Sequence, residues 1–123
     1  MLPYERFEAW QLAHQLVLAT YRVTGRFPDE ERYGLRSQAR RAAFSVAANI
    51  AEGSAKRGNR EFRRFVDISL GSLSELAYIL RLARDLDYLT QEVWSEIDAL
   101  RDRTGQVVWG LYRSIMARSQ NHA

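Results

Sequence analysis

The residues Val93, Ile97, Leu100, Thr104, Val107, Leu111 and Ile115 are spaced 4, 3, 4, 3, 4 and 4. Only a helix gathers such a spacing onto one side, and here it is nearly a coiled-coil seam over about three heptads. Trp94, Val108, Trp109 and Tyr112 flank the seam and widen its apolar face. A helix with one apolar face must bury it against other elements, which makes this stretch the strongest constraint on the fold. Thr90 is the expected N-cap, and Glu92 stands in the first turn, where the helix dipole favours an anion. Gly105 interrupts the pattern and marks either a close helix contact or a weak point.

Three more stretches carry the same period. The first spans about 7–25, with a stripe of Trp10, Ala13, Leu16, Val17, Thr20, Tyr21 and Thr24; Gly25 stops it, and Phe27-Pro28-Asp29 reads as a loop. The second spans about 33–53, with Leu35, Gln38, Ala39, Ala42, Val46, Asn49, Ile50 and Gly53 on its stripe. It is rich in small residues on more than one face, which permits close helix approach, while Phe44, Val46 and Ile50 need partners. The third spans about 59–86, capped by Asn59, with Phe62, Phe65, Val66, Ser69, Leu73, Leu76, Ala77, Leu80 and Ala83 on its stripe. The fourth extends over about 90–117, and the polar tail beyond it is expected to fray. At 123 residues the chain is one domain's length. The expected architecture is all-α: an antiparallel up-down-up-down four-helix bundle.

Several chemistries are absent from the sequence. There is no Cys, which removes disulfides, Cys-ligated zinc, iron–sulfur clusters and thiol catalysis. His14 and His122 are the only histidines; His14 lies beside the first stripe and His122 in the tail. No Glu-x-x-His pair, His-Glu-x-x-His, Gly-x-Ser-x-Gly or phosphate-cradling glycine loop occurs. Asp85, Asp87, Glu92, Glu96 and Asp98 form an acidic region without EF-hand spacing, which reads as solvated surface. The expectation is a non-enzymatic protein with no cofactor and no metal. No apolar run approaches the length of a membrane span, and Met1–Trp10 lacks the core of a signal peptide, so the cytoplasm is the expected location.

The charge is more informative. The net is +3, and Arg supplies all of the 18 Lys and Arg except Lys56. A planar guanidinium suits phosphate and carboxylate, so the excess fits contact with nucleic acid; a genome bias toward Arg codons is the plain alternative. Lys56, Arg57, Arg60, Arg63 and Arg64 cluster within nine residues, with Glu61 the one acid among them. Arg60 and Arg64 share a helix face, where like charges repel by a few tenths of a kcal/mol. Such a cluster points to a polyanion; the ordinary reading pairs Arg63 with Asp67 and leaves the rest solvated. Arg36, Arg40 and Arg41 form a second group on the small-residue helix.

Polar residues also fall near apolar stripes. Asn49 and Glu52 lie one turn apart beside Ile50 and Gly53, and Glu75 lies between Leu73 and Leu76. Buried carboxylates need partners, for which Arg40 or Arg41 are candidates. The expectation is a structural network that sets helix register or a subunit contact.

Specific residues resemble a known family. Tyr33-Gly34-Leu35, Gln38, Arg40-Arg41-Ala42, Ser45 and Asn49-Ile50-Ala51-Glu52-Gly53 look like the central motif of bacterial four-helix-bundle proteins. That family was first named for reading frames inside intervening sequences of large-subunit ribosomal RNA genes. Phe7, Trp10-Gln11 and Ala13 match its opening; Glu61-Phe62, Arg64-Phe65, Gly71-Ser72-Leu73 and Glu75-Leu76 match its third helix. Val46-Ala47-Ala48 departs from it, since many members carry Pro shortly before the Asn, so helix two is expected to be straighter here. The resemblance implies a homopentameric ring in which Asn49, Glu52, Gly53 and Glu75 build the bundle and its contacts. It brings across no catalytic residue. A more remote similarity is to the basic pentamers that accompany diversity-generating retroelements and bind nucleic acid and a reverse transcriptase.

The expected function is a homo-oligomeric bundle that binds structured RNA or DNA through Lys56, Arg57, Arg60, Arg63 and Arg64, without base specificity. The rival is a protein-binding scaffold that serves a partner such as a polymerase. An enzyme with a site at Asn49 and Glu52 is the remote third. The surplus of large apolar residues fits an interface, and a ring of five would carry about +15, making weak basic patches effective through multivalency.

Overall fold

Each of the four periodic stretches is a helix in the computed structural model, which describes residues 1–121, with side chains as far as Arg118. The helices are α1 (Glu8–Thr24), α2 (Leu35–Ser54), α3 (Asn59–Asp85) and α4 (Gln91–Asn121), with 3-10 turns at Pro3–Arg6 and Asp29–Glu31. The described residues form no strand. Helices adjacent in sequence pack together and α1 closes on α4, while the diagonal pairs make no close backbone approach. The short connections after α2 and α3 cannot cross a bundle, so neighbours run antiparallel.

Thr90 caps α4 as expected, its Oγ1 accepting the Val93 N–H at 3.2 Å. Asn59 does not cap α3. It is the first helical residue, and Gly58 takes the N-cap place at φ 88° with no side-chain bond. That left-handed geometry suits glycine, which explains the shift by one position. The tail expected to fray from Ala117 is helical through Asn121. His122 lies outside the described residues. Helix α2 runs unbroken for 20 residues, consistent with the missing proline.

The core follows the stripes most closely on α3. There Phe65, Val66, Ser69, Leu73, Leu76, Ile79, Leu80 and Ala83 are buried. On α2 the buried set is Ala39, Ala42, Ala43, Val46, Ala47, Ile50 and Gly53, so the small residues do face neighbours. A Cβ on Gly53 would stand 2.7 Å from the Phe65 Cβ and 3.4 Å from the Phe62 carbonyl oxygen. Glycine is what lets α2 and α3 meet there. Ser69, fully buried, donates to the Val46 carbonyl at 2.9 Å and ties the same pair.

Two expectations fail at the surface. Phe44 finds no core partner and is exposed. Among the described side chains of α4, only Ile97, Thr104, Val108 and Ile115 are buried, whereas Val93, Leu100, Val107 and Leu111 are half-buried. The cleanest seam in the sequence is thus incompletely covered, and a shallow groove of about 320 Å³ lies between α1 and α4. Gly105 marks no close contact, because a Cβ there would meet open space.

Candidate nucleic-acid interface

Helix α2 ends at Ser54, and the turn to α3 projects Lys56 and Arg57 into solvent, with Arg60 following in the first turn of α3. All three are exposed, and none of their side chains forms an ion pair or hydrogen bond among the described residues. The Lys56 ammonium lies 5.5 Å from the centre of the Phe65 ring, a weak cation–π contact that leaves its charge available. The start of α3 has no side-chain cap, so its first N–H groups and the positive end of its dipole face the same region. Cations beside a helix N-terminus repel that dipole. An anion would relieve both at once.

Arg64 is used differently. It bonds both Glu61 carboxylate oxygens at 3.3 Å and lies 4.8 Å over the Phe65 ring. The hydrogen bond and charge of Arg64, with smaller contributions from Lys56 and Arg60, hold the Glu61 carboxyl below its ordinary value. Arg63 is half-buried and makes no ion pair with Asp67 among the described residues. Arg60, Arg63 and Arg64 instead line one groove of about 430 Å³ with Glu61, Asp67 and Tyr112 of α4. Tyr112 stacks on Trp109, ring centres 5.4 Å apart and 11° from parallel. Their sequence signal placed both rings beside the α4 seam; only the packing of α4 on α3 brings Tyr112 to the basic cluster.

Two arginines of the second basic group, Arg36 and Arg40, are used in structure. The Arg36 guanidinium donates to the Phe27 carbonyl at 2.7 Å. Arg40 donates to the Thr24 hydroxyl at 2.9 Å and the Tyr21 carbonyl at 3.2 Å, and lies 4.6 Å over the Tyr21 ring. It therefore clamps α2 onto the C-terminal end of α1, where the dipole favours a cation. Arg41 is exposed.

The carboxylate network expected to set helix register does not form within the chain, and its alternative, a subunit contact, stays a proposal. Glu52 and Glu75 are both exposed and have no ion-pair partner among the described residues. One residue along a helix is a rotation of about 100°, so Glu75, next to Leu76 in sequence, faces outward. Asn49 does take part in a polar link: its amide donates to the Ser45 carbonyl at 2.8 Å and hydroxyl at 3.0 Å, and Ser45 meets Ser72 of α3 at 2.8 Å. Gly53 is the close-packing residue already described. The residues expected to form one network thus divide into a packing glycine, a serine–asparagine link and two solvated carboxylates. His14 is exposed and stacks on Trp10 at 5.1 Å.

No group of three or more His, Asp or Glu is placed to hold a metal ion among the described residues. No described helix is long and apolar enough to cross a membrane.

A crystal structure of a protein of unknown function from the S23 ribosomal protein family of Bacteroides thetaiotaomicron has the same fold. The TM-score is 0.79 at 18% identity, covering 85% of this chain and 97% of that one. No curated protein matches the chain. The family model described as 23S rRNA-intervening sequence protein matches residues 5–110, from the 3-10 turn at the N-terminus well into α4. The chain belongs to the 23S rRNA-intervening sequence protein family.

Proposed function

We propose that the protein is a non-enzymatic homo-oligomer that binds nucleic acid, structured RNA or DNA, through its phosphates and without base specificity. The observation that carries this reading is the set of exposed, unpaired Lys56, Arg57 and Arg60 around the uncapped start of α3. Arg63 and Arg64 extend that surface along the groove that reaches Tyr112. Phosphate contacts of this kind fix a duplex in place and carry no sequence information.

Oligomerisation, with a pentameric ring as the expected form, is supported by the exposed apolar residues Leu18, Ile68, Tyr78 and Trp109. Isolated exposed apolar side chains are ordinary, but Ile68 and Tyr78 share the outer side of α3 with Gly71, at which a Cβ would meet open space. A second copy is the partner that such a surface fits. Native mass spectrometry reads the subunit number directly. The rival reading, a scaffold for another protein such as a reverse transcriptase, rests on the same surface; a pull-down returning a defined protein and no nucleic acid would favour it.

Fluorescence anisotropy of labelled RNA and DNA duplexes tests the binding, at low and at physiological salt. The expected log–log salt slope is several units, because each phosphate neutralised releases about 0.9 counterion. Changing Lys56, Arg57 and Arg60 together to Glu is expected to weaken binding on the order of 100-fold at low salt. Unchanged affinity in that variant would remove the assignment.

A further inference from the structure

A second basic surface lies at the opposite end of α2, about 30 Å of helix away. Here the turn before α2 and the outer side of its first half form a groove of about 550 Å³ against the end of α1. Its lining combines Arg32, Arg36, Arg40 and Arg41 with the rings of Tyr21, Tyr33 and Phe44, and it contains no carboxylate. The nearby acids are committed elsewhere or remote. Glu31 accepts from the Leu35 N–H at 3.1 Å and from the Tyr88 hydroxyl at 2.9 Å, and Asp29 approaches Arg36 only at 3.9 Å. The Arg36 Nε is buried without a hydrogen-bond partner among the described residues.

The aromatic rings are the second half of the argument. Tyr33 is 89% exposed, Phe44 59% and Tyr21 47%. The Arg32 guanidinium lies 5.9 Å from the Tyr33 ring centre and Arg40 lies 4.6 Å over Tyr21, so cations and ring faces alternate along one surface. Free charges alone would serve any polyanion. Exposed rings set among guanidinium groups serve one whose flat bases are unpaired, because a duplex keeps its base faces stacked internally.

We propose that this groove binds a single-stranded segment of nucleic acid, with phosphates on Arg32 and Arg41 and unpaired bases stacked on Tyr33 and Phe44. Arg36 and Arg40 hold the groove's shape and supply fixed positive charge. The inference rests on the nucleic-acid reading above and adds to it the class of strand recognised at this second site. A hairpin with an unpaired flank would engage both ends of α2: its stem at Lys56, Arg57 and Arg60, its flank in this groove. Stacking is tolerant of sequence, so the site distinguishes unpaired from paired strands rather than one base from another.

The test compares fluorescein-labelled single strands of about 12 nucleotides, RNA and DNA, with a duplex of the same length, a size within the usual single-strand footprint. The proteins are the wild type and the double variant Tyr33→Ala/Phe44→Ala; both side chains are exposed, so the fold is expected to persist, and circular dichroism checks it. The variant is expected to lose about 10-fold or more in single-strand affinity, since base stacking on these rings carries the single-strand contact, with duplex affinity unchanged. A 2-aminopurine in the strand is expected to be quenched by the wild type and not by the variant. Unchanged single-strand affinity and quenching in the variant would overturn the proposal. So would a change in oligomeric mass with unchanged single-strand affinity, which would make this face a contact between copies. Duplex binding with no single-strand binding defeats this inference and leaves the wider reading standing; absence of both at low salt defeats the two together.

Discussion

The two ends of α2 are built from the same residue type and use it in opposite ways. At its N-terminal half, Arg36 and Arg40 donate into the carbonyls and hydroxyl that close α1 and the following loop. Beyond its C-terminal end, the Lys56, Arg57 and Arg60 side chains are exposed and make no hydrogen bond or ion pair among the described residues. The difference is what each end packs against. Arg40 faces the C-terminus of α1, with its open carbonyls and negative dipole end, whereas Lys56 and Arg57 follow the end of α2, where the Ala55 and Lys56 N–H groups and the Ser54 hydroxyl already take the Glu52, Gly53 and Ala51 carbonyls, and Arg60 stands at the start of α3. A cation is therefore satisfied internally at the first place and left to solvent at the second, where its charge is available to an outside anion.

The largest expected effect tests that contrast directly. Arg40→Ala removes two charge-assisted hydrogen bonds and the stack on Tyr21, and is expected to cost about 2–3 kcal/mol of stability. Arg57→Ala is expected to stay within about 0.5 kcal/mol, as surface changes usually do. Urea denaturation of both variants decides it; equal losses would break the comparison.

Glycines sharpen it. Gly53→Ala would press a methyl into Phe65 and the Phe62 backbone, at an expected cost of about 1–3 kcal/mol. Because Gly53 sets the α2–α3 approach that presents Lys56 and Arg57, the same variant should also weaken nucleic-acid binding. Gly105→Ala meets open space and is expected to gain about 0.5–1 kcal/mol from helix propensity, a rise in melting temperature being the readout.

The smallest effects are in pH. Glu61 has a lowered carboxyl pKa, so its contact with Arg64 is complete above the ordinary carboxylate value of about 4.3 and is lost as pH falls through the lowered one. An NMR titration should place the Glu61 midpoint below the ordinary value, and Arg64→Ala should return it. Tyr88 is raised, first by its hydrogen bond to Glu31 and then by burial. Its contribution is present below the ordinary phenol value of about 10 and is lost as pH rises through the raised one. Glu31→Gln should lower the phenol midpoint seen by ultraviolet absorbance.

How far the candidate sites were legible follows the same division. The cluster from Lys56 to Arg64 was plain from spacing alone, because consecutive cations on a turn and a helix start need no partner to be noticed. Tyr112 joined it only through the packing of α4 on α3. The groove of Tyr33, Phe44 and the arginines was hidden, since Phe44 read as a core residue and Arg40 as a partner for carboxylates. Glu52 and Glu75 face solvent rather than the bundle core for the complementary reason: nearness to apolar residues in sequence is not nearness in rotation.

Periodicity determined the four helices and nearly all of the α3 core, because a side chain's angular position about its own helix axis is a local property. The Thr90 cap was local too and was read correctly. Everything that depends on which helix lies opposite was decided by the tertiary structure: the exposure of Phe44, the half-open seam of α4, the contact that requires Gly53, and which arginines meet a carbonyl and which meet only water. A stripe fixes the direction in which a helix buries its residues. The depth of that burial, and the partner for each charge, depend on neighbours that the stripe does not specify.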